Sequence, residues 1–139
     1  LSQHLDEIRN QCSQLVHAFA YFVDHREFSE AVALFSDDGE FERPDGHVKG
    51  HAEIAALWAN RPASIVTRHL CGVAHFTEIS ATTATAVTPF TLYQTQHDGE
   101  GLPQVSKPAG IGEFTDKFIL TDNGWKIAHR RGMPVLMYS

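Results

Sequence analysis

Thr82-Thr83-Ala84-Thr85-Ala86-Val87-Thr88-Pro89-Phe90-Thr91-Leu92-Tyr93-Gln94-Thr95-Gln96 reads as one long strand. Threonine, valine and aromatic residues suit a pleated surface, and the hydrophobic period around this stretch is two. Ile65 to Ile79 before it reads the same way, as do Glu113 to Leu120 and Trp125 to Arg131 after it. The last two are joined by Thr121-Asp122-Asn123-Gly124, a hairpin turn with Asn-Gly at its centre.

Upstream the period is helical. Leu5, Ile8, Cys12, Leu15, Val16, Phe19, Phe22 and Val23 recur at three- and four-residue steps, the apolar stripe of a long helix. A shorter helix follows with Phe28, Ala31, Val32, Leu34 and Phe35 on its inner face. Asp24, with Glu27 three residues on, has the spacing of a capping box at its start. Asp37-Asp38-Gly39 breaks this helix, Glu40 to Arg43 reads as a short strand ending at Pro44, and Asp45-Gly46 as a turn. A third helix is predicted from about His51 to Asn60, with Ile54, Leu57 and Trp58 inward, closed by Pro62. Three helices followed by a run of antiparallel strands predict an α+β domain spanning residues 1–139 as one unit.

Composition excludes several function classes. The chain is 42% hydrophobic and 20% charged, as ordinary globular domains are. A formal net charge of -6, with no lysine or arginine cluster along the chain, repels nucleic acid. No apolar run approaches the ~20 residues that span a bilayer. Cys12 and Cys71 lie far apart inside apolar patterns, which reads as two buried free thiols of a cytoplasmic protein. No phosphate-binding glycine loop and no Cys-x-x-Cys occurs. The nine histidines include no His-x-His or His-Glu-x-x-His, and His69 with His75 is a loose pair, so neither a metal nor a cofactor is expected. His97 to Gly112, with four glycines and two prolines, reads as a loop: a lid over a site or a mobile hairpin tip.

The residues with chemistry to offer are Asp24, His69 and Arg43. Strand alternation puts His69 on one face with Cys71 and Val73, and Arg43 on one face with Phe41. A carboxylate, an imidazole and a guanidinium in one apolar cavity would be an orienter, a general base and an anion stabiliser. Each has a plainer reading. Asp24 could cap the second helix, His69 could be a hydrogen-bonded core residue, and Arg43 could be solvated at its strand end. Tyr21, Trp58, Phe90 and Tyr93 are aromatic candidates to line a pocket.

The order of these pieces resembles the SnoaL-like branch of the nuclear transport factor 2-like (NTF2-like) superfamily. The resemblance rests on Tyr21-Phe22-Val23-Asp24, Leu34 to Phe41, Gly50 to Ile54, Thr67-Arg68-His69-Leu70 and Asn123 to Ile127, which together cover most of the chain. It implies a cone-shaped curved antiparallel sheet packed on three helices. Within the superfamily the chain is most similar to the group of scytalone dehydratase and hexachlorocyclohexane dehydrochlorinase. That likeness implies an Asp-His dyad at Asp24 and His69, and an arginine in the cavity at Arg130, or at Arg131 if a bulge shifts the register. It puts Gln94 where the dehydratase has a second histidine, Arg43 where it has a tyrosine, and Phe19 where the dehydrochlorinase has a lysine. Steroid isomerases of the fold have their base aspartate at the position of Arg43, which disfavours their reaction here.

The implied activity is a cofactor-free lyase, a dehydratase or other elimination enzyme, acting on a small aromatic or cyclic molecule. The alternative is a non-catalytic ligand-binding or subunit-packing domain. Val66, Phe76, Phe90, Leu92 and Phe118 predict an apolar outer sheet face and, with it, a homodimer or homotrimer.

Overall fold

A computed structural model describes residues 2–139, with side chains described from His4 onward. Three helices precede most of the sheet: α1 (Ser2–Asp24), α2 (Phe28–Val32) and α3 (His51–Ala56). The strands are β1 (Phe35–Arg43), β2 (Gly46–Lys49), β3 (Ile65–Cys71), β4 (His75–Ile79), β5 (Thr83–Gln96), β6 (Gly110–Thr121) and β7 (Gly124–Met137). They form one curved, unclosed sheet in the order β2-β1-β7-β6-β5-β3, with β4 also paired to β5. The pairing of β1 with β7 is parallel and every other pairing antiparallel, so the sheet is mixed rather than purely antiparallel.

The apolar stripe of α1 packs into the concave face. Ile8, Cys12, Val16, Phe19 and Val23 are buried there against Phe41, Phe114, Phe118 and Ile127. Parity along β5 carries the inner face through Ala84, Ala86, Thr88 and Phe90. Opposite them on β6 stand Phe118, Asp116, Phe114 and Gly112.

Local chemistry revises several boundaries. Ile65 to Ile79 is two strands, because Pro89 of β5 offers no N–H to a partner. The partner strand breaks opposite it, where the Gly72 N–H donates to the Pro89 carbonyl (2.8 Å) and a Cβ on Gly72 would lie 2.9 Å from the proline ring. Val73, read as inward, sits in that break and is 87% exposed. Asp37-Asp38-Gly39 does not end a helix. It lies inside β1, at a shift in register against β7, and Gly39 allows the close approach of Ser36 and Ile127 carbonyls. The hairpin pairs Thr121 with Gly124, so Asp122 and Asn123 form its two-residue loop and Gly124 supplies the positive φ of 97°.

The patch from which an assembly was expected is not one surface. Phe118 is in the core, Phe90 and Leu92 face a cavity, and Phe76 packs against the core. Cys12 is buried and Cys71 half-buried, both as free thiols. Burial, with Asp116 nearby, pushes the Cys12 thiol up to about 12, which makes it inert. No helix among the described residues is long and apolar enough to cross a membrane.

Candidate active site

The end of α1 determines where Asp24 points. The Glu27 N–H donates to the Phe22 carbonyl (2.8 Å) and the Arg26 N–H to the Val23 carbonyl (3.1 Å). This is a Schellman ending, with Arg26 at φ 61° where glycine is usual. Asp24 therefore sits in the last helical turn, where the helix dipole disfavours a carboxylate. It does not cap α2, whose N-cap Glu27 makes no side-chain cap bond.

What holds the Asp24 carboxylate is β3. Oδ1 accepts from the His69 Nδ1–H at 2.7 Å and from the Thr67 hydroxyl at 2.9 Å, and Oδ2 accepts from the His69 backbone N–H at 2.7 Å. The Arg68 guanidinium donates to the Asp24 carbonyl at 3.2 Å, fastening the helix end to the same strand. The side chains are nearly enclosed, at 5% exposure for Asp24 and 13% for His69. Burial alone would raise the Asp24 carboxyl. The His69 ring and backbone bonds, the imidazole's charge and the Thr67 hydroxyl outweigh it and hold the carboxyl below its ordinary value.

With Nδ1 bound to the carboxylate, Nε2 is the ring's remaining nitrogen, and among the described residues it has no protein partner. His69 lines a cavity of about 320 Å³ whose walls include Phe19, Phe41, Trp58, Phe90 and Phe114. Phe90 and Phe114 stack at 4.3 Å, and the His69 ring lies 5.7 Å from Phe90. Gly112 makes room for that stack: a Cβ there would come within 2.6 Å of the Phe90 ring and 2.7 Å of the Met133 carbonyl. Such a site can hold an apolar molecule against one basic nitrogen.

The other sequence candidates divide. Trp58, Gln94 and Arg43 line the cavity. Arg43 also forms a bidentate pair with Asp45, at 3.1 and 3.2 Å, on the partly exposed rim. Tyr93 does not line it: it is adjacent to Gln94 on β5, so the pleat turns it to the opposite face. Tyr21 lies on the solvent side of α1, 55% exposed and stacked on His25 at 4.1 Å.

Arg130, expected in the cavity, lies beneath its wall. It is fully buried, its Nε and Nη2 donate to Asp116 at 2.7 and 2.8 Å, and its guanidinium stacks 3.9 Å from the Phe114 ring centre and 4.5 Å from that of Phe19. Arg131 points to the other face, 3.5 Å from Glu42. The sequence reading missed Arg61, which lines the cavity from the segment after α3. It carried no signal beyond its place beside Pro62.

Of the loop from His97, residues 110–112 belong to β6 and the rest is irregular. Its ends are pinned by the His97 N–H to the Ser64 carbonyl (2.8 Å) and the Ala109 N–H to the Leu92 carbonyl (2.7 Å), and Ala109 reaches the cavity. Among the described residues one group has donors suited to a metal: Glu42, His47 and His129, with ligand atoms within 4.8 Å of one another. It stands on the face of β1 opposite Phe41 and Arg43, away from the cavity. Glu40 already bonds His47 at 3.1 Å and Arg131 pairs with Glu42 at 3.5 Å, so the group belongs to a cross-strand network of polar side chains.

The family model described as the SnoaL-like domain matches residues 6–131. Among solved structures, an NTF2-like protein with a cystatin-like fold from Novosphingobium aromaticivorans is similar at 22% identity and a TM-score of 0.80, over 96% of this chain and 86% of that one. A protein of the same organism provisionally named a scytalone dehydratase aligns at 17% identity and a TM-score of 0.81, over 99% and 91%. The β subunit of a provisionally named aromatic-ring-hydroxylating dioxygenase, again from that organism, aligns at 19% and 0.78, over 96% and 93%. At these identities the likeness shows the fold, the NTF2-like cone. No curated protein matches the sequence.

Proposed function

The chain belongs to the SnoaL-like family, and from that premise we propose that it is a cofactor-free lyase that eliminates a group from a small cyclic or aromatic molecule. One observation carries the reading: the 2.7 Å bond from His69 Nδ1–H to a buried carboxylate, with Nε2 left for the cavity. Asp24 fixes the tautomer and stabilises the imidazolium that forms, so Nε2 acts as the base.

In the reaction, Nε2 takes a proton from a carbon beside an activating group. The C–H electron pair becomes the new double bond, and the leaving group departs with its own pair. For a hydroxyl leaving group, the imidazolium returns the proton to it and water leaves. Arg43 and Arg61 both line the cavity and would stabilise negative charge as it develops. General-base catalysis of this kind contributes about 10²–10⁴-fold.

A panel of β-hydroxy and β-halo carbonyl compounds with cyclic bodies, assayed with the wild type and with His69→Ala, tests the proposal. Turnover by the wild type, cut by about 10²–10⁴-fold in a folded His69→Ala variant, is the expected result. Saturable binding with no turnover of any member would favour the non-catalytic ligand-binding alternative.

A further inference from the structure

Arg61 is a half-buried guanidinium on the wall of an apolar cavity, and among the described residues no carboxylate pairs with it. Other guanidinium groups stand near it, and the neighbouring carboxylates are bound elsewhere. Arg43 lines the same cavity, and the Arg26 guanidinium donates to the Arg61 carbonyl at 3.0 Å and to the Ile65 carbonyl at 3.4 Å. Arg68 bonds the end of α1 close by. Two guanidinium groups, Arg26 and Arg43, thus neighbour Arg61, on a protein whose formal net charge is -6. Of the carboxylates there, Asp24 is occupied by His69 and Thr67, and Asp45 by Arg43.

A guanidinium withdrawn from water beside like charges is unfavourable unless an anion joins it. Burial, then the charges of Arg26 and Arg43, push its pKa down, and Asp24 only partly opposes them. The walls beyond the arginines are aromatic and aliphatic, and a cavity of about 320 Å³ has room for a ring as well as a head group. Guanidinium matches carboxylate through two parallel hydrogen bonds.

We propose that the substrate of this cavity is a carboxylate with a cyclic apolar body, its head group held by Arg61 and its ring between the aromatic walls. The substrate class rests on the lyase reading, whereas the anion site does not require it. Trp58 lines the cavity and reports on occupancy by its fluorescence. Cyclohexanecarboxylate and cyclohexanecarboxamide have the same shape, differ in charge and do not absorb where tryptophan does.

At low ionic strength the carboxylate should bind at least about tenfold more tightly than the amide. Arg61→Met should remove that preference by weakening the carboxylate about tenfold while leaving the amide nearly unchanged, and Arg61→Lys should restore part of it. His69→Ala should keep the preference, so the anion site and the lyase chemistry can fail separately. Equal affinities in the wild type, failure of the carboxylate to bind, or a preference that survives in a folded Arg61→Met variant would overturn the proposal.

Discussion

His69 Nδ1 and Asp24 Oδ1 lie 2.7 Å apart, although the two residues are 45 positions apart and on different elements. The Asp24 carboxylate also binds the backbone N–H of His69, so it holds both the strand and the ring of its partner. This double grip explains how an acidic residue is tolerated in the last turn of α1. It also makes Asp24→Asn more than a loss of charge. An asparagine amide must turn its NH₂ toward one of these donors, leaving it unpaired or forcing the other tautomer.

The pair should show itself in the pH dependence of stability. The folded carboxyl of Asp24 is held below its ordinary value, so the unfolded chain takes up its proton first as pH falls. The contribution is then fully present above the unfolded value of about 3.9 and is lost as pH falls through the lower folded one. Urea unfolding of wild type and Asp24→Asn should give a stability gap that narrows as pH falls below about 4. A gap that widens with acid would contradict the assignment.

Arg130 and Asp116 should matter for folding. Both are fully enclosed, and removing one leaves the other charge unpaired. Arg130→Met should destabilise by about 3–5 kcal/mol, and the joint replacement Arg130→Met with Asp116→Leu by clearly less. Chemical denaturation of the three proteins checks this. Equal losses in the single and joint variants would mean that packing on Phe114 and Phe19, rather than charge, dominates.

Shortening the irregular loop between Gly99 and Lys107 to a tight turn should barely change thermal stability. Leu102 is 88% exposed and Val105 48%, so the tip buries little, and the bonds at His97 and Ala109 are kept. If the loop closes over bound substrate, turnover should fall at least about tenfold, about 1.4 kcal/mol of barrier. Unchanged turnover and affinity in the folded variant would make the loop a plain hairpin tip.

The short β2 is not legible in the sequence, whereas the three helices and the long strands of the C-terminal half are legible in order because periodicity is a local property. The stripe of α1 and the alternation in β5 both follow from it. Parity could have separated Tyr93 from Gln94, since neighbouring strand residues face opposite ways. What escaped was set by contacts between distant segments. Gly72 marks a weak point within Ile65 to Ile79, but only the pairing of distant segments sets Pro89 opposite it. A cavity arginine and a buried, carboxylate-paired arginine look alike in sequence: family resemblance alone puts Arg130 or Arg131 in the cavity, and nothing local marks Arg61 as lining it. Asp24 carried two readings, cap and dyad, and family resemblance rather than local spacing favoured the dyad.

The most direct test of the account is a double-mutant cycle on kcat/KM for a substrate that the wild type turns over, using Asp24→Asn, His69→Ala and the combined variant. Residues that act as one unit lose their contributions together. His69→Ala should cost about 10²–10⁴-fold, Asp24→Asn a large part of that, and the combined variant little more than His69→Ala alone. Turnover in a folded His69→Ala variant within a few-fold of wild type, or losses that multiply in the combined variant, would contradict a base formed by Asp24 and His69.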